Sequence, residues 1–370
     1  MGSRVVMLVD MDYFFAQAEE TRNPSLKDKP VVVCVYSGRT EDSGTVSTAN
    51  YVAREYGVKS GMPIFLAKRK LEGVEAVFLP VDHVFYDEVS GKVMNLLRSY
   101  ADSFEQVGVD EAFLDVTKRT VGSYDSTREL AQKMKDELKA QLKLTCSIGI
   151  GPNKVIAKIA ADAQKPDGMT VVKPEQVEVF LFPLPVERLI GVGAKTKNRM
   201  NALGINIIGE LAKYDVQKLV SVFGKALGTY FHNASMGLDD QPVQEKSEVE
   251  SVSRISTLKQ NTRDLDLIFG RTDQLCDEIH AEISQQKLAF KTVGIIAVMI
   301  DLSIHSRSKT LESPIDERES LKMVVKELFE KLLAETELEV RRVGVKVSGF
   351  VRGKDKQKQL TSFFNSSKNE

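Results

Sequence analysis

Three acidic side chains stand where this chain could do chemistry. The apolar run VVMLVD, residues 5–10, ends on Asp10, which fits a buried strand delivering a carboxylate to the edge of a sheet. FEQVGVDEAFLDVT, residues 104–117, alternates on either side of V-D-E and predicts two strands with Asp110 and Glu111 at the turn between them. A carboxylate at a strand end is costly to bury without a partner and well placed to meet a cation. Two hard divalent ions about 3.5–4 Å apart, bridged by such oxygens, can clamp the attacking and leaving oxygens of an in-line phosphoryl displacement. Phosphoryl transfer is therefore the chemistry that these acids suit. Spacing alone does not separate it from the commoner case of solvated surface acids.

Several elements must position them. PVVVCV, residues 30–35, predicts a second strand. The amphipathic MDYFFAQAEE precedes it, and a Gly-rich turn at 38–44 and the helix-like TANYVAREYG follow. Leu130, Met134, Leu138 and Leu142 recur every four positions, so 124–142 is a helix packed on one face, and CSIGIG returns as a strand. Strand, helix, two strands, helix, strand is the split βαβ pattern of a ferredoxin-like sheet, here with residues 11–77 inserted after the first strand as a second lobe. Residues 167–233 read as short helices punctuated by IGVGAKTKNRMNALGI and VFGKALG. QPVQEKSEVES is polar and aperiodic and contains Pro242, so it reads as a linker. A second strand-helix-strand-strand-helix-strand pattern then runs to VRRVGVKVSGF, about the size of one further α+β domain. After Phe350 the chain is polar and lysine-rich apart from Leu360, Phe363 and Phe364.

At 370 residues the chain is long enough for two to four modules. With 42% hydrophobic and 28% charged residues it matches folded globular proteins rather than disordered or collagenous ones. No apolar run approaches the roughly 18 residues of a membrane span and no signal peptide is visible, which predicts a cytoplasmic protein without a membrane partner. Cys34, Cys146 and Cys276 are far apart and lack histidines at metal spacing, so they read as core residues. Fifty-one basic and 52 acidic residues give a net charge of −1, so any nucleic acid must be held by local patches.

The words around the acids narrow the chemistry. LVDMDYFFAQAEE, SGTVSTANYVAREYGVKSGMP, VDEAFLDVT and GPNKVIAKIAADAQKPDG, in this order, closely resemble the Y-family DNA polymerases, in particular the DinB or DNA polymerase IV branch in its archaeal form. The resemblance covers nearly the whole chain. It implies an α+β, right-hand-like polymerase: a ferredoxin-like palm from residues 1–10 and 78–166, small fingers at 11–77, a helix-hairpin-helix thumb at 167–233, a linker at 234–246 and a little finger domain at 247–348. Residues 349–370 remain as a tail.

By the same resemblance, Asp10, Asp110 and Glu111 ligate two magnesium ions, which manganese can replace, with the Met11 carbonyl as a backbone ligand. Tyr51, Arg54 and Lys165 meet the triphosphate of the incoming dNTP, for two cations and a phenol suit a polyanion shielded from water. Phe15 is the steric gate beneath the sugar, and Tyr13, Phe14 and Thr48 complete the nucleotide pocket. Two departures from the family pattern stand out. Gly108 replaces a serine, which puts local primer-end hydrogen bonding and strand stiffness in doubt, and Ile190 replaces a proline.

For the primer-template DNA, Gly191, Gly193 and Lys195 resemble a helix-hairpin-helix turn whose amides and charge read a phosphate rather than a base. Gly224 and Lys225 form a weaker second copy. Arg254, Arg307, Lys309, Arg341, Arg342 and Lys346 are expected in phase on strands of the last domain as a basic face, about half of them on phosphates, because Arg341 and Arg342 cannot both point to one side. Gln357, Leu360, Phe363 and Phe364 resemble the peptide that docks on trimeric sliding clamps of archaeal and eukaryotic type; a bacterial clamp would want an apolar residue at Ser362. The resulting expectation is a monomeric, nucleoid-associated, low-fidelity lesion-bypass polymerase without a proofreading exonuclease. A nucleotidyl cyclase shares the sheet and paired acids but needs neither thumb turns nor a clamp peptide. A catalytically silent clamp-bound scaffold would not need the intact acids.

Overall fold

The computed structural model describes residues 4–245 and 249–352, which divide into two compact units, one of residues 4–35 and 45–245 and the other of 36–44 and 249–352. The tail residues Gln357, Leu360, Phe363 and Phe364 lie outside the described residues.

In the first unit, β1 (Val6–Met11) is buried along its whole length. An unbroken apolar run is needed there because both faces of its sheet are covered. The next element is α1 (Phe14–Arg22), whose Phe14, Ala16 and Ala18 join the main core. Strands β2 (Val31–Tyr36) and β3 (Gly44–Ala49), helices α2 (Tyr51–Glu55) and α3 (Ile64–Lys70), and β4 (Val77–Pro80) follow. Their sheet has the order β3-β2-β4, and Val32, Cys34, Val46, Ala53 and Ile64 form a small core of their own. The helix expected over TANYVAREYG starts late, because its first two residues, Thr48 and Ala49, complete β3. Thr45, Val46 and Thr48 are β-branched and suit a pleated strand, and the helix starts only after Asn50, whose side chain caps the amide of Ala53.

Helix α4 (His83–Ser99) then leads to β5 (Ser103–Gln106), β6 (Glu111–Asp115), α5 (Tyr124–Leu142), β7 (Cys146–Gly151), α6 (Lys154–Ala163) and β8 (Met169–Val171). The sheet order β5-β6-β1-β7-β8 is the ferredoxin-like arrangement with β8 added parallel to β7. Helices α4 and α5 cover one face through Met7, Val9 and Met11, while α6 covers Val6 and Leu8 on the other. Gly149 is what lets α6 come so near: a Cβ there would lie 2.0 Å from the Ala157 carbonyl and 2.3 Å from the Ala161 amide nitrogen. Gly108 falls in the turn between β5 and β6, not in a strand, so its effect on strand stiffness does not arise.

Helices α7 (Val177–Leu181), α8 (Ala194–Ala202), α9 (Ile208–Ala212), α10 (Val216–Phe223) and α11 (Lys225–Ser235) pack on the remaining side of α6, sharing a core with its Val155, Ile156 and Ile159. Gly191 has a left-handed backbone (φ +84°), Gly193 caps α8, and Lys195 is exposed beside it. The segment expected as a free linker is docked instead. Val243 is 4% exposed among Val6, Leu8, Phe113, Ala157 and Ala161, and Glu245 pairs with Arg98. Apolar surface beside α6 accepts Val243, and polar contacts hold the segment on either side of it, with Arg4 donating to the Gln241 carbonyl and the Gln244 amide to Glu105.

The second unit contains β9 (Ser251–Thr262), α12 (Leu265–Gln285), β10 (Leu288–Met299), β11 (Ile304–Ile315), α13 (Arg318–Ala334) and β12 (Val340–Arg352), with sheet order β11-β10-β12-β9 and both helices on one face. The expected single basic face does not form. Arg254 sits opposite Val345, Arg307 opposite Ile295 and Lys309 opposite Val293, so all three are in phase with core residues. They pair with glutamates in or just after the helices: Arg254 with Glu282 of α12, Lys309 with Glu327 of α13, and Arg307 with Glu335 just after α13. Arg342 and Lys346, in the alternate phase, share the helix-free face with Ser253, Thr257, Ser306 and Ser308. Arg341 falls at an irregularity in the β12–β9 pairing. Cys34, Cys146 and Cys276 are all buried.

Candidate active site

The site is built where β1 ends and its antiparallel partner β6 begins. Asp10 pairs directly with Glu111 across the antiparallel ladder and with Ser147 on its other side, so Asp10, Glu111 and Ser147 share the face that α6 covers. Asp110 precedes Glu111, and its carbonyl accepts the Met11 amide at 2.9 Å. Asp10 is 8% exposed. Burial, together with the charges of Asp10 and Glu111, raises the Asp110 pKa above the ordinary aspartate value.

One cavity of about 400 Å³ gathers the expected residues. Asp10, Met11, Asp110 and Glu111 line one side, and Tyr13, Phe14 and Phe15 the floor where β1 turns into α1. Thr48, Tyr51 and Arg54 come from the end of β3 and from α2, and Lys165 from the turn after α6. The turn into α1 is tight: Tyr13 adopts a left-handed backbone (φ +36°), a conformation that costs about 1 kcal/mol or more outside glycine. That turn swings the aromatic run toward the acids. Phe15 is held flat against Tyr86, with ring centroids 4.3 Å apart and 14° between planes. Tyr13 meets Tyr51 edge-on at 5.3 Å, and the Arg54 guanidinium lies over the Tyr51 ring at 4.7 Å. Arg54 is aimed by a hydrogen bond from its Nε to the Ala49 carbonyl. Burial raises the Tyr51 pKa, and burial with the neighbouring Glu20 raises that of Tyr13, so both phenols stay neutral donors.

Lys165 Nζ lies 2.8 Å from Asp10 Oδ1 and 2.9 Å from Asp162 Oδ1. Burial works against its charge, but those two carboxylates outweigh burial and hold its pKa well above the usual lysine value. The donor set of the three acids is the hard, anionic oxygen chemistry that magnesium or manganese takes, and a cluster of like charges at buried strand ends fits a cationic guest. Asp10, Asp110 and Glu111, with the Met11 carbonyl, would hold it.

Two further residues of the cavity were not anticipated from the sequence. Asp12 is 1% exposed and accepts three hydrogen bonds, from Thr145 Oγ1 at 2.8 Å, Ser147 Oγ at 2.7 Å and the Asp167 amide at 2.9 Å. It ties the end of β1 to the turn that carries Lys165, and its oxygens are spent in doing so. Lys158, on α6, donates to Asp10 Oδ2 at 3.2 Å and to Glu111 Oε2. The signal for Lys158 was present: a lysine within VIAKIAADA, a helix otherwise apolar nearly all round, must find a counter-charge.

The chain is similar to known proteins along nearly its whole length. A family model described as impB/mucB/samB family matches residues 9–162, its C-terminal domain model matches residues 249–362, and a model described as DNA polymerase-iota, thumb domain, matches residues 187–239. The chain is 46% identical to DNA polymerase IV of Nitrosopumilus maritimus, over 98% of this chain and 100% of that one. It is 45% identical to DNA polymerase IV 1 of Methanosarcina mazei over the same shares. Among solved structures, a Y-family DNA polymerase chimera of Dbh and Dpo4 superposes with a TM-score of 0.88 at 38% identity, covering 94% of this chain and 99% of that one. An insertion ternary complex of Dbh DNA polymerase gives 0.67 at 37% identity over the same shares.

Proposed function

The chain belongs to the DNA polymerase IV (DinB) branch of the Y-family, DNA-directed DNA polymerases of the translesion type, and from that premise we propose that its cavity adds dNTPs to a primer 3′-hydroxyl by two-metal phosphoryl transfer. The observation that carries this reading is the convergence of four carboxylates, three cations and four aromatic rings on one cavity. A pair of divalent ions, when bound, supplies Lewis acidity that lowers the pKa of the attacking hydroxyl and neutralises charge on the leaving pyrophosphate.

The chain's own residues do the rest by position and charge. Lys165 and Arg54 bind the triphosphate, and the Tyr51 hydroxyl donates to it. Phe15, locked by its stack on Tyr86, fills the space that a ribose 2′-hydroxyl would need. Asp12 fixes the distance between Asp10 and the Lys165 turn. Gly191, Gly193 and Lys195 bind the primer-template backbone at the start of α8. In the second unit Arg342 and Lys346, on the face free of helices, are the better placed phosphate ligands. Arg254, Arg307 and Lys309 would first have to leave their glutamates, and Arg341 is a weaker candidate still. The polymerase lacks proofreading and acts as a monomer in the cytoplasm, and residues Gln357, Leu360, Phe363 and Phe364 tether it to a trimeric sliding clamp. Among the described residues no helix is long and apolar enough to cross a membrane.

The test is extension of a labelled primer opposite each template base, with one dNTP at a time, with magnesium and with chelator. Metal-dependent insertion of the complementary base supports the reading. Untemplated addition, or none, refutes it.

A further inference from the structure

The three acids are not a ready-made chelate. Among the described residues no three His, Cys, Asp or Glu side chains gather closely enough to hold an ion as they stand. What bridges Asp10 and Glu111 instead is the Lys158 ammonium, donating to Asp10 Oδ2 at 3.2 Å and to Glu111 Oε2. Lys165 takes the other oxygen of Asp10 at 2.8 Å. Both oxygens of Asp10 are therefore paired with lysines, and the charge of the cluster is three carboxylates against two ammonium groups.

We propose that Lys158 is the resident counter-cation of the carboxylate cluster, holding Asp10 and Glu111 together in the metal-free protein and yielding their oxygens when a divalent ion binds. The ladder makes such a group necessary. Asp10 and Glu111 are directly opposed, an arrangement that is destabilising for like charges in an antiparallel pair, and Asp10 is nearly buried. The side chain is suited to the exchange. Lysine carries a compact charge on a flexible stem, so it can withdraw without disturbing α6, and with a quarter of its side chain exposed it has solvent to withdraw into. The helix is fixed by close packing on Gly149, so the ammonium is delivered to the same place each time. A divalent ion must then compete with a tethered cation, and by linkage the affinity of the free protein for metal is lowered by the strength of the Lys158 contacts.

The inference rests on the reading that these carboxylates hold the metal, and the test separates the two. Manganese binding to the full-length protein, without DNA or nucleotide, is measured by loss of the free-ion electron paramagnetic resonance signal. Thermal unfolding is followed in chelator and in manganese. Lys158→Met, which keeps the apolar stem, should bind manganese at least fivefold tighter than wild type. It should also unfold at a lower temperature than wild type in chelator and recover that loss when manganese is added. Lys158→Arg keeps the charge and grips carboxylates as a rigid fork, so it should bind manganese more weakly than wild type. That comparison stands even if the methionine variant fails to fold. Asp10→Asn serves as the control and should abolish binding. An affinity order other than Met, Lys, Arg from tightest to weakest, or a methionine variant as stable in chelator as wild type, overturns the role of Lys158. If instead Asp10→Asn binds manganese as wild type does, the metal is not at these acids and the reading beneath the inference is wrong.

Discussion

Asp10 and Glu111, 101 positions apart in the chain, face each other across the β1–β6 ladder as direct partners, two carboxylates where a stable sheet would place opposite charges or apolar side chains. Every other pair in that ladder, from Val6 with Asp115 to Val9 with Ala112, has at least one apolar member. The exception lies at the strand ends, where the cavity opens. A local conflict with sheet stability at that one register position is what a binding function for cations would leave behind.

Removing the Asp110 carboxylate relieves part of this conflict. Its pKa is raised by burial and by Asp10 and Glu111, so the folded state holds that proton more tightly than the unfolded chain does. Stability from this group is full below the ordinary aspartate value and is lost as pH rises through the raised one. Asp110→Asn should therefore unfold at a higher temperature than wild type at neutral pH in chelator. The difference should close as the pH falls below about 4. Melting curves across that range check it.

Phe15 should govern sugar selection by volume. Phe15→Ala opens the floor of the cavity, and discrimination against ribonucleotides should fall by about a hundredfold, with a modest loss of dNTP use. Single-nucleotide insertion with matched rNTP and dNTP measures it. Unchanged selectivity would move the gate to Tyr13.

Gly149 should be intolerant of any side chain. The methyl group of Gly149→Ala would run into backbone atoms of Ala157 and Ala161, so α6 must move as a body. The expected cost is about 3 kcal/mol or more, the upper end for overpacking, because the obstacle is backbone rather than a rotatable side chain. Chemical denaturation reads the stability. Because α6 leads into the turn that carries Lys165, any folded fraction should also insert nucleotides poorly.

The tail prediction concerns Phe363 and Phe364. Replacing both by alanine should weaken binding to a trimeric clamp by about 2–4 kcal/mol or more, as buried aromatic anchors do, and leave extension without clamp unchanged. Primer extension with and without clamp for both proteins tests it, and equal stimulation would remove the tail from that role.

Much of the fold could be read from the sequence where one physical signal dominated. The four-residue recurrence of Leu130, Met134, Leu138 and Leu142 gave the helix Tyr124–Leu142 to the residue. The run ending at Asp10 and the V-D-E turn put three carboxylates at neighbouring strand ends. Other features depended on facts that pattern alone does not carry. Thr48 and Ala49 fell in a strand because tertiary pairing with β2 competed with a helix-like pattern. Val243 was docked because a bare apolar face lay nearby, which no local window records. The face occupied by Arg254, Arg307 and Lys309 turned on cross-strand register, and a shift of one residue inverts it. Lys158 stood out as a charge in an otherwise apolar helix, but its partners Asp10 and Glu111 are set by the strand register, which the helix pattern does not record.

The account stands on the claim that Asp10, Asp110 and Glu111 act on transition-state charge rather than on DNA binding. Single-turnover primer extension by wild type and Asp110→Ala, paired with DNA-binding titrations on the same samples, tests it most directly. The account predicts that Asp110→Ala loses about a thousandfold or more in insertion rate, the scale of several kcal/mol of lost charge stabilisation, while its affinity for primer-template stays within about twofold of wild type. Substantial insertion by Asp110→Ala, or a loss of activity matched by an equal loss of DNA affinity, would contradict it.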